Sequence, residues 1–270
     1  MTSPRKKRQD ERVLVGPDSD RLAMLERRDP VAGVPGPGRW LVVDYQPTSL
    51  FSLKTSQATS SVGVSLVIPT PYAIKMAFVD AAFRVDIDMD QCARLLRSLV
   101  PVEVRIAPSS AAIVTNTFLK IRQEPKTPSP QAPYISSIAY RELVYLSGTW
   151  SWAFDLTCCD ETLAELLVTL TPHVNYVGKR GSFVQCLRKP YRLSDLGSRF
   201  TQPIQGEKIA TPARSHVRML DDFGPDADLE TLSPFTSKPV KRGKHRRFIE
   251  TVIPIGLSNT GPGFSEYRFD

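Results

Sequence analysis

The first apolar run of the chain that reads as folded is Trp40-Leu41-Val42-Val43-Asp44-Tyr45, bounded by Gly38 and Pro47. A nearly continuous apolar segment of that length suits a strand covered on both faces. Thr70 followed by Pro71 marks a helix start, because threonine caps well and proline fits the first helical position. The spacing predicts a helix from Thr70 to about Arg84. Ala73 through Phe83 is apolar except for Lys75 and Asp80, so most of this helix must be covered by sheet or by another subunit. A second helix follows, with Asp90 as its cap and Cys92, Leu95, Leu96 and Leu99 on one stripe. Pro101 stops it.

Val102, Val104 and Ile106 alternate with Glu103 and Arg105, the period of a half-exposed strand. Another strand spans about Ala111 to Arg122. Residues 124–133 hold four prolines, which cannot pair inside a sheet and so predict a projecting loop. Tyr140–Leu146 and Trp150–Leu156 flank Ser147-Gly148, which predicts a hairpin. Asp160 caps a further helix carrying Leu163, Leu166, Leu167 and Leu170, and Pro172 ends it. After the glycine segment at 176–182, Phe183–Leu187 supplies a strand. Beyond Arg188 the pattern weakens, and Arg247–Gly256 alone reads clearly as a strand.

The order from 39 to 188 is therefore β-α-β-β-α-β, which predicts an α+β chain with a ferredoxin-like (RRM-like) domain. Residues 1–38 mix acids and bases and finish in Pro35-Gly36-Pro37-Gly38, a composition expected of a disordered tail and linker. Residues 189–270 are expected to form an irregular C-terminal extension with a basic segment and a final strand. No repeat of 20 to 50 residues is visible.

Composition adds a charge bias. The 270 residues carry 35 Lys and Arg against 28 Asp and Glu, a net +7, which favours a polyanionic partner. The four cysteines, Cys92, Cys158, Cys159 and Cys186, lack zinc-knuckle spacing and read as reduced core thiols, with Cys158 and Cys159 on opposite faces of a strand. No metal or cofactor is expected. The chain has no signal-peptide pattern and no apolar run long enough for a membrane helix, so the expectation is a cytoplasmic protein without a membrane partner.

Candidate chemistry concentrates between Tyr176 and Phe183. Gly178 and Gly181 free the backbone to turn its amides inward, and Lys179 and Arg180 place two cations beside them. The spacing is not that of a Walker loop; a phosphate-holding turn and a basic β-turn are both compatible with it. Tyr176 could stack on a base, whereas Phe183 reads as core. Lys75 lies in the first turns of its helix, where the dipole disfavours a cation, so an outside anion would relieve it. Lys238, Lys241, Arg242, Lys244, Arg246 and Arg247 form a basic block with no acid among them. Asp86, Asp88 and Asp90 alternate without the glycine and distal glutamate of a calcium loop and read as capping residues.

Three stretches carry a resemblance to a known family. Ile68-Pro69-Thr70-Pro71-Tyr72 through Lys75, Tyr140-Arg141-Glu142-Leu143, and Tyr176-Val177-Gly178-Lys179-Arg180 resemble segments of the Cas-five subfamily of the RAMP superfamily of CRISPR-associated proteins. The resemblance covers about Trp40 to Arg188 in patches. It implies a non-catalytic RNA-binding subunit of a type I Cascade effector that holds the 5′ handle of the crRNA, touches a backbone RAMP subunit and a large subunit, and has target DNA nearby. Together with the charges it designates Lys54, Lys75, Arg141, Tyr176, Gly178, Lys179, Arg180, Gly181, Ser182, Lys244, Arg246 and Arg247 as RNA-binding. Some RAMP relatives cleave repeat RNA without metal, and under that alternative His173, Tyr176 and Lys179 would serve as acid and base. A histidine just after a helix also reads as a C-terminal cap.

Overall fold

The computed structural model describes residues 38–55, 62–123, 125, 127, 134–204, 213–233, 236 and 238–269. The expected tail up to residue 37 and most of the four-proline segment lie outside the described residues. In chain order the strands and helices are β1 (Trp40–Pro47), β2 (Leu53–Lys54), β3 (Val62–Gly63), β4 (Ser65–Leu66), α1 (Pro71–Arg84), α2 (Met89–Leu99), β5 (Val104–Ala107), β6 (Ala111–Gln123) and β7 (Ile135–Ser147). They continue with β8 (Trp150–Asp155), α3 (Glu161–Leu170), β9 (Val184–Cys186), β10 (Tyr191–Leu193), β11 (Gln202–Pro203), β12 (His216–Phe223), the single-turn α4 (Leu229–Leu232), β13 (Arg246–Ile253), β14 (Gly256–Gly261) and β15 (Phe264–Arg268). The architecture is α+β, with mostly antiparallel sheets.

The first sheet runs β10-β1-β8-β5, and β9 shares the β10 side of β1. All its pairings are antiparallel. β1 is central and buried along nearly its whole length, as its apolar run requires. The aromatic core sits between this sheet and the helices. Tyr45 stacks on Trp152 at 4.3 Å, and Phe78 of α1 meets Phe154 edge-on at 5.1 Å. α1 begins where its sequence says, since the Thr70 hydroxyl accepts the Ala73 amide and Pro71 follows. α2 is capped by Asp88, which accepts the Gln91 amide at 2.8 Å, and not by Asp90, which falls inside the first turn. Asp160 caps α3 as expected, and Pro172 lies in a short 3-10 turn at Thr171–His173 that closes the helix.

The second sheet runs β14-β15-β6-β7-β3. Here the expected hairpin around Ser147-Gly148 is corrected. β7 pairs with β6 in a long hairpin from Ala111↔Ser147 to Gln123↔Ile135, while β8 pairs with β1 and β5. The turn at Gly148, in the left-handed region at φ +103°, hands the chain from one sheet to the other. The cause is visible in the burial: Trp150, Trp152 and Phe154 are buried along with Ala153, which demands a central strand, whereas β7 exposes Tyr145 and Ile138. Cys158 and Cys159 lie in the turn after β8, not in a strand, and Cys158 is exposed, so it is no core thiol.

The third sheet, β11-β13-β12, is built from the part of the chain whose pattern is weakest. β12 escapes a hydrophobic reading because it buries two acids, Asp221 and Asp222, beside Leu220 and Phe223. Those acids attach the sheet to the rest of the fold. Lys75 of α1 is 0% exposed and its Nζ lies 2.7 Å from Asp222 Oδ1. Asp222 also accepts from Arg247 at 2.8 Å, and Asp221 is ion-paired with Arg246. Burial pushes the Lys75 ammonium below its ordinary range, against the opposing pull of Asp222.

Removing one partner from a buried pair costs about 3–5 kcal/mol, because the other charge stays buried and uncompensated. Asp222→Asn is therefore expected to lower unfolding stability by roughly that amount. Lys75→Met, which leaves Asp222 its Arg247 partner, costs less. Urea denaturation of the two variants checks the order, and an Asp222→Asn protein as stable as the parent refutes it.

Candidate nucleic-acid interface

The glycine segment folds as a tight strap. Tyr176 and Phe183 form an antiparallel bridge, the Val177 amide donates to the Ser182 carbonyl at 3.1 Å, and the Ser182 amide donates to the Lys179 carbonyl at 3.0 Å. Gly178 and Gly181 adopt φ of +72° and +97°, where other residues are strained. At Gly178 a Cβ would also lie 2.5 Å from Leu53 Cδ2, so the Leu53 side chain would have to shift to admit it.

A second device latches the strap to the body. The Ser49 hydroxyl donates to the Gly181 carbonyl at 2.7 Å and accepts the Phe183 amide at 2.7 Å, while the Thr48 amide donates to the Phe183 carbonyl at 3.0 Å. Residues 48 and 49 follow directly on β1, so the central strand of the first sheet positions the turn. Ser49 carries no signal in the sequence, since its partners are some 130 residues away and its type is common in loops.

Lys179 and Arg180 are exposed at the tip of this strap. The Tyr176 hydroxyl lies between Asp80 and Arg180, and Arg84 sits 5.9 Å from its ring centre. Burial raises the Tyr176 pKa above its ordinary value, Asp80 adds to the rise, and Arg180 partly opposes it. The hydroxyl therefore keeps its proton at neutral pH. Phe183, expected in the core, is 51% exposed, because the bridge to Tyr176 turns it outward. Ser182 is buried.

The other designated residues divide. Lys54, on β2, is exposed and borders the same groove as Gly178, Lys179 and Arg180, so the fold brings these four together. Lys75 is corrected: the anion that relieves it is internal, Asp222, and no outside ligand reaches it. Arg246 and Arg247 are likewise engaged by Asp221 and Asp222, and the Arg246 guanidinium lies 4.4 Å from the Tyr72 ring centre. Lys244 is exposed before β13. Arg141 stands on β7 in the second sheet, opposite Gly63 of β3. His173 is exposed; its carbonyl accepts Arg84 at 2.7 Å. Among the described residues no three His, Cys, Asp or Glu side chains are grouped as a metal site would need.

Two measurements test this geometry. Ser49→Ala removes both side-chain hydrogen bonds of the latch, and at about 0.5–1.5 kcal/mol for each bond the strap is expected to open more often. Hydrogen exchange at the Phe183 amide should then speed up without a matching change at β1; equal acceleration in both would show global loosening instead. The Tyr176 hydroxyl should titrate above its ordinary value near pH 10 and move down in Asp80→Asn, read by NMR of labelled tyrosine. An unmoved titration would remove Asp80 as the cause.

No family model matches the chain. In sequence it is 20% identical over 218 residues to the CRISPR-associated protein Cas5 of Archaeoglobus fulgidus, a match spanning 80% of this chain and 85% of that protein. A crystal structure of a CRISPR protein from the same organism aligns over 86% of this chain and 92% of its own, at 12% identity and a TM-score of 0.42. The sequence similarity, which runs over four-fifths of the chain's length, supports a likeness to CRISPR-associated Cas5 proteins.

Proposed function

We propose that this protein is a non-catalytic RNA-binding subunit of a type I CRISPR Cascade effector complex, holding the 5′ handle of the crRNA and contacting the backbone and large subunits. The observation that carries the reading is the latched strap at 176–183, whose two left-handed glycines present Lys179 and Arg180 to solvent on a rigid support. A preorganised turn loses little entropy when it binds, so its cations act on a phosphate chain more effectively than the same residues on a mobile loop. Lys54 widens the cationic surface. The strand order of the first sheet, in which β9 and β10, β1, β8 and β5 lie side by side, supports a ferredoxin-like β-α-β-β-α-β core centred on residues 39–188.

The proton held on Tyr176 argues against its use as a base, and the His173 ring has no polar partner among the described residues. Both points favour a holding role over cleavage.

The test is to purify the chain with its partner CRISPR proteins and sequence the nucleic acid that accompanies it. Short RNAs sharing one 5′ end are expected. In binding assays Lys179→Ala with Arg180→Ala should weaken affinity and flatten the salt dependence by roughly 1.4, at about 0.7 for each phosphate no longer neutralised. Recovery of no such RNA refutes the reading. Cleavage of repeat RNA in EDTA, abolished by His173→Ala, would replace it with the endoribonuclease.

A further inference from the structure

The second sheet departs from the rule that an antiparallel sheet with one solvated face alternates apolar and polar residues. β6 opens with Ala111-Ala112-Ile113-Val114 and β7 closes with Leu143-Val144-Tyr145-Leu146, two uninterrupted apolar runs that pair with each other. Such a run suits a strand covered on both faces, and β1, with the same pattern, is buried from Trp40 to Tyr45. Here only one face is covered. Ala112, Val114, Val144 and Leu146 lie in the core, whereas on the other face Tyr145 is 54% exposed and Ile113 and Leu143 are half-buried.

Strand parity extends the open face. β6 and β7 carry it toward the tip of their hairpin through the exposed Leu119 and Ile135, and β15 adds Phe264 beside Thr115. Phe118, Lys120, Arg122 and Tyr140 fall on the opposite face, where the Phe118 and Tyr140 rings meet at 5.1 Å. The charges that β6, β7 and β15 place on the open face are already engaged: the Arg141 side chain lies against Gly63 of β3, and Glu266 pairs with Arg268 at 2.6 Å. A nucleic acid needs cations whose counterions it can release, and these strands offer it none. A second copy would bring two molecules of net charge +7 together with no opposite charge on the face to offset the repulsion. A single helix covers one strip, but β7 runs 13 residues, about 44 Å at about 3.4 Å each, and β14, β15, β6 and β7 lie side by side at the base of the face. That is the scale of the roughly 800 Å² per side of a standard protein–protein interface.

We propose that the open face of the second sheet docks a broad, apolar, uncharged surface of a partner protein subunit. Tyr145 is its anchor, with Ile113 opposite it across the ladder and Leu143 beside it along the strand. A tyrosine desolvated among apolar neighbours is the kind of residue that carries a large share of an interface's energy. The assignment rests on the reading that this protein works in an assembly with other CRISPR proteins, and it does not depend on the strap holding RNA.

Benzoylphenylalanine placed at position 145 of the full chain, in the complex assembled with its partner proteins and RNA, reads the occupant directly. The expected product is a crosslink to one partner protein, mapping to a surface of apolar, uncharged residues. Tyr145→Asp and Leu119→Asp, both at exposed positions, should then weaken association with that partner by roughly tenfold or more while RNA stays bound, and Tyr145→Phe, which keeps the ring, should bind like the parent. Thermal melts identify any variant that has lost its fold, and the crosslink needs neither variant. In an assembly that has formed, a crosslink to RNA, to a second copy or to no protein overturns the proposal, as does undiminished partner affinity in both aspartate variants. A chain that binds none of its partner proteins overturns the proposal together with the assembly reading; RNA missing from an assembly that crosslinks as expected refutes only the strap's role.

Discussion

The buried ammonium of Lys75 governs how the parts of this molecule are arranged. A lysine with no solvent exposure persists only if its charge is met, and Asp222 of β12 meets it at 2.7 Å. That ion pair is the junction between α1 and the third sheet. Arg247 then neutralises the remaining charge of Asp222, and Arg246 does the same for Asp221, so the buried acids of one strand engage the exposed cations of the next. Non-directional apolar packing alone would let the C-terminal sheet slide over α1; one short ion pair between named atoms gives it a register.

From that junction the rest of the interface follows. With α1 held against the first and third sheets and against α3, its open face borders the strap and the α2–α4 pair. The strap is placed from the other direction, by residues 48 and 49 at the end of the central strand. The strap therefore inherits its position from β1, one of the most buried parts of the molecule. Charges presented on such supports lose little freedom on binding, which supports the role proposed for a turn with only two cations.

How much of this is legible in the sequence depends on whether a residue's partner is near it in the chain. Thr70, Pro71 and Asp160 act on amides three residues away or on their own backbone angle, and each marks its helix correctly. Gly178 and Gly181 likewise announce a left-handed turn. Lys75 stands out as an uncomfortable cation, yet its anion lies almost 150 residues downstream in a segment that reads as polar and irregular. The same distance hides β12, where Asp221 and Asp222 interrupt the apolar pattern because Arg246, Arg247 and Lys75 meet their charges. The hairpin at Gly148 fails for a related reason: a glycine turn between two apolar strands looks identical whether the strands pair with each other or with different sheets, and only the near-complete burial of β8 distinguishes the cases.

The basic block from Lys238 to Arg247 shows why a count of cations overstates a binding surface. Lys238 is paired with Glu230, Arg246 with Asp221, Arg247 with Asp222, and Arg242 lies over the Phe248 ring at 4.3 Å. Charges so engaged have already shed their counterions and gained protein partners, so a polyanion would have to compete for them and release little salt in doing so. Lys179 has no such partner among the described residues, and Arg180 shares only a phenol. Two cations left unneutralised on a latched turn release counterions that the engaged block cannot, so the proposed RNA-holding role rests on the strap and not on the C-terminal block.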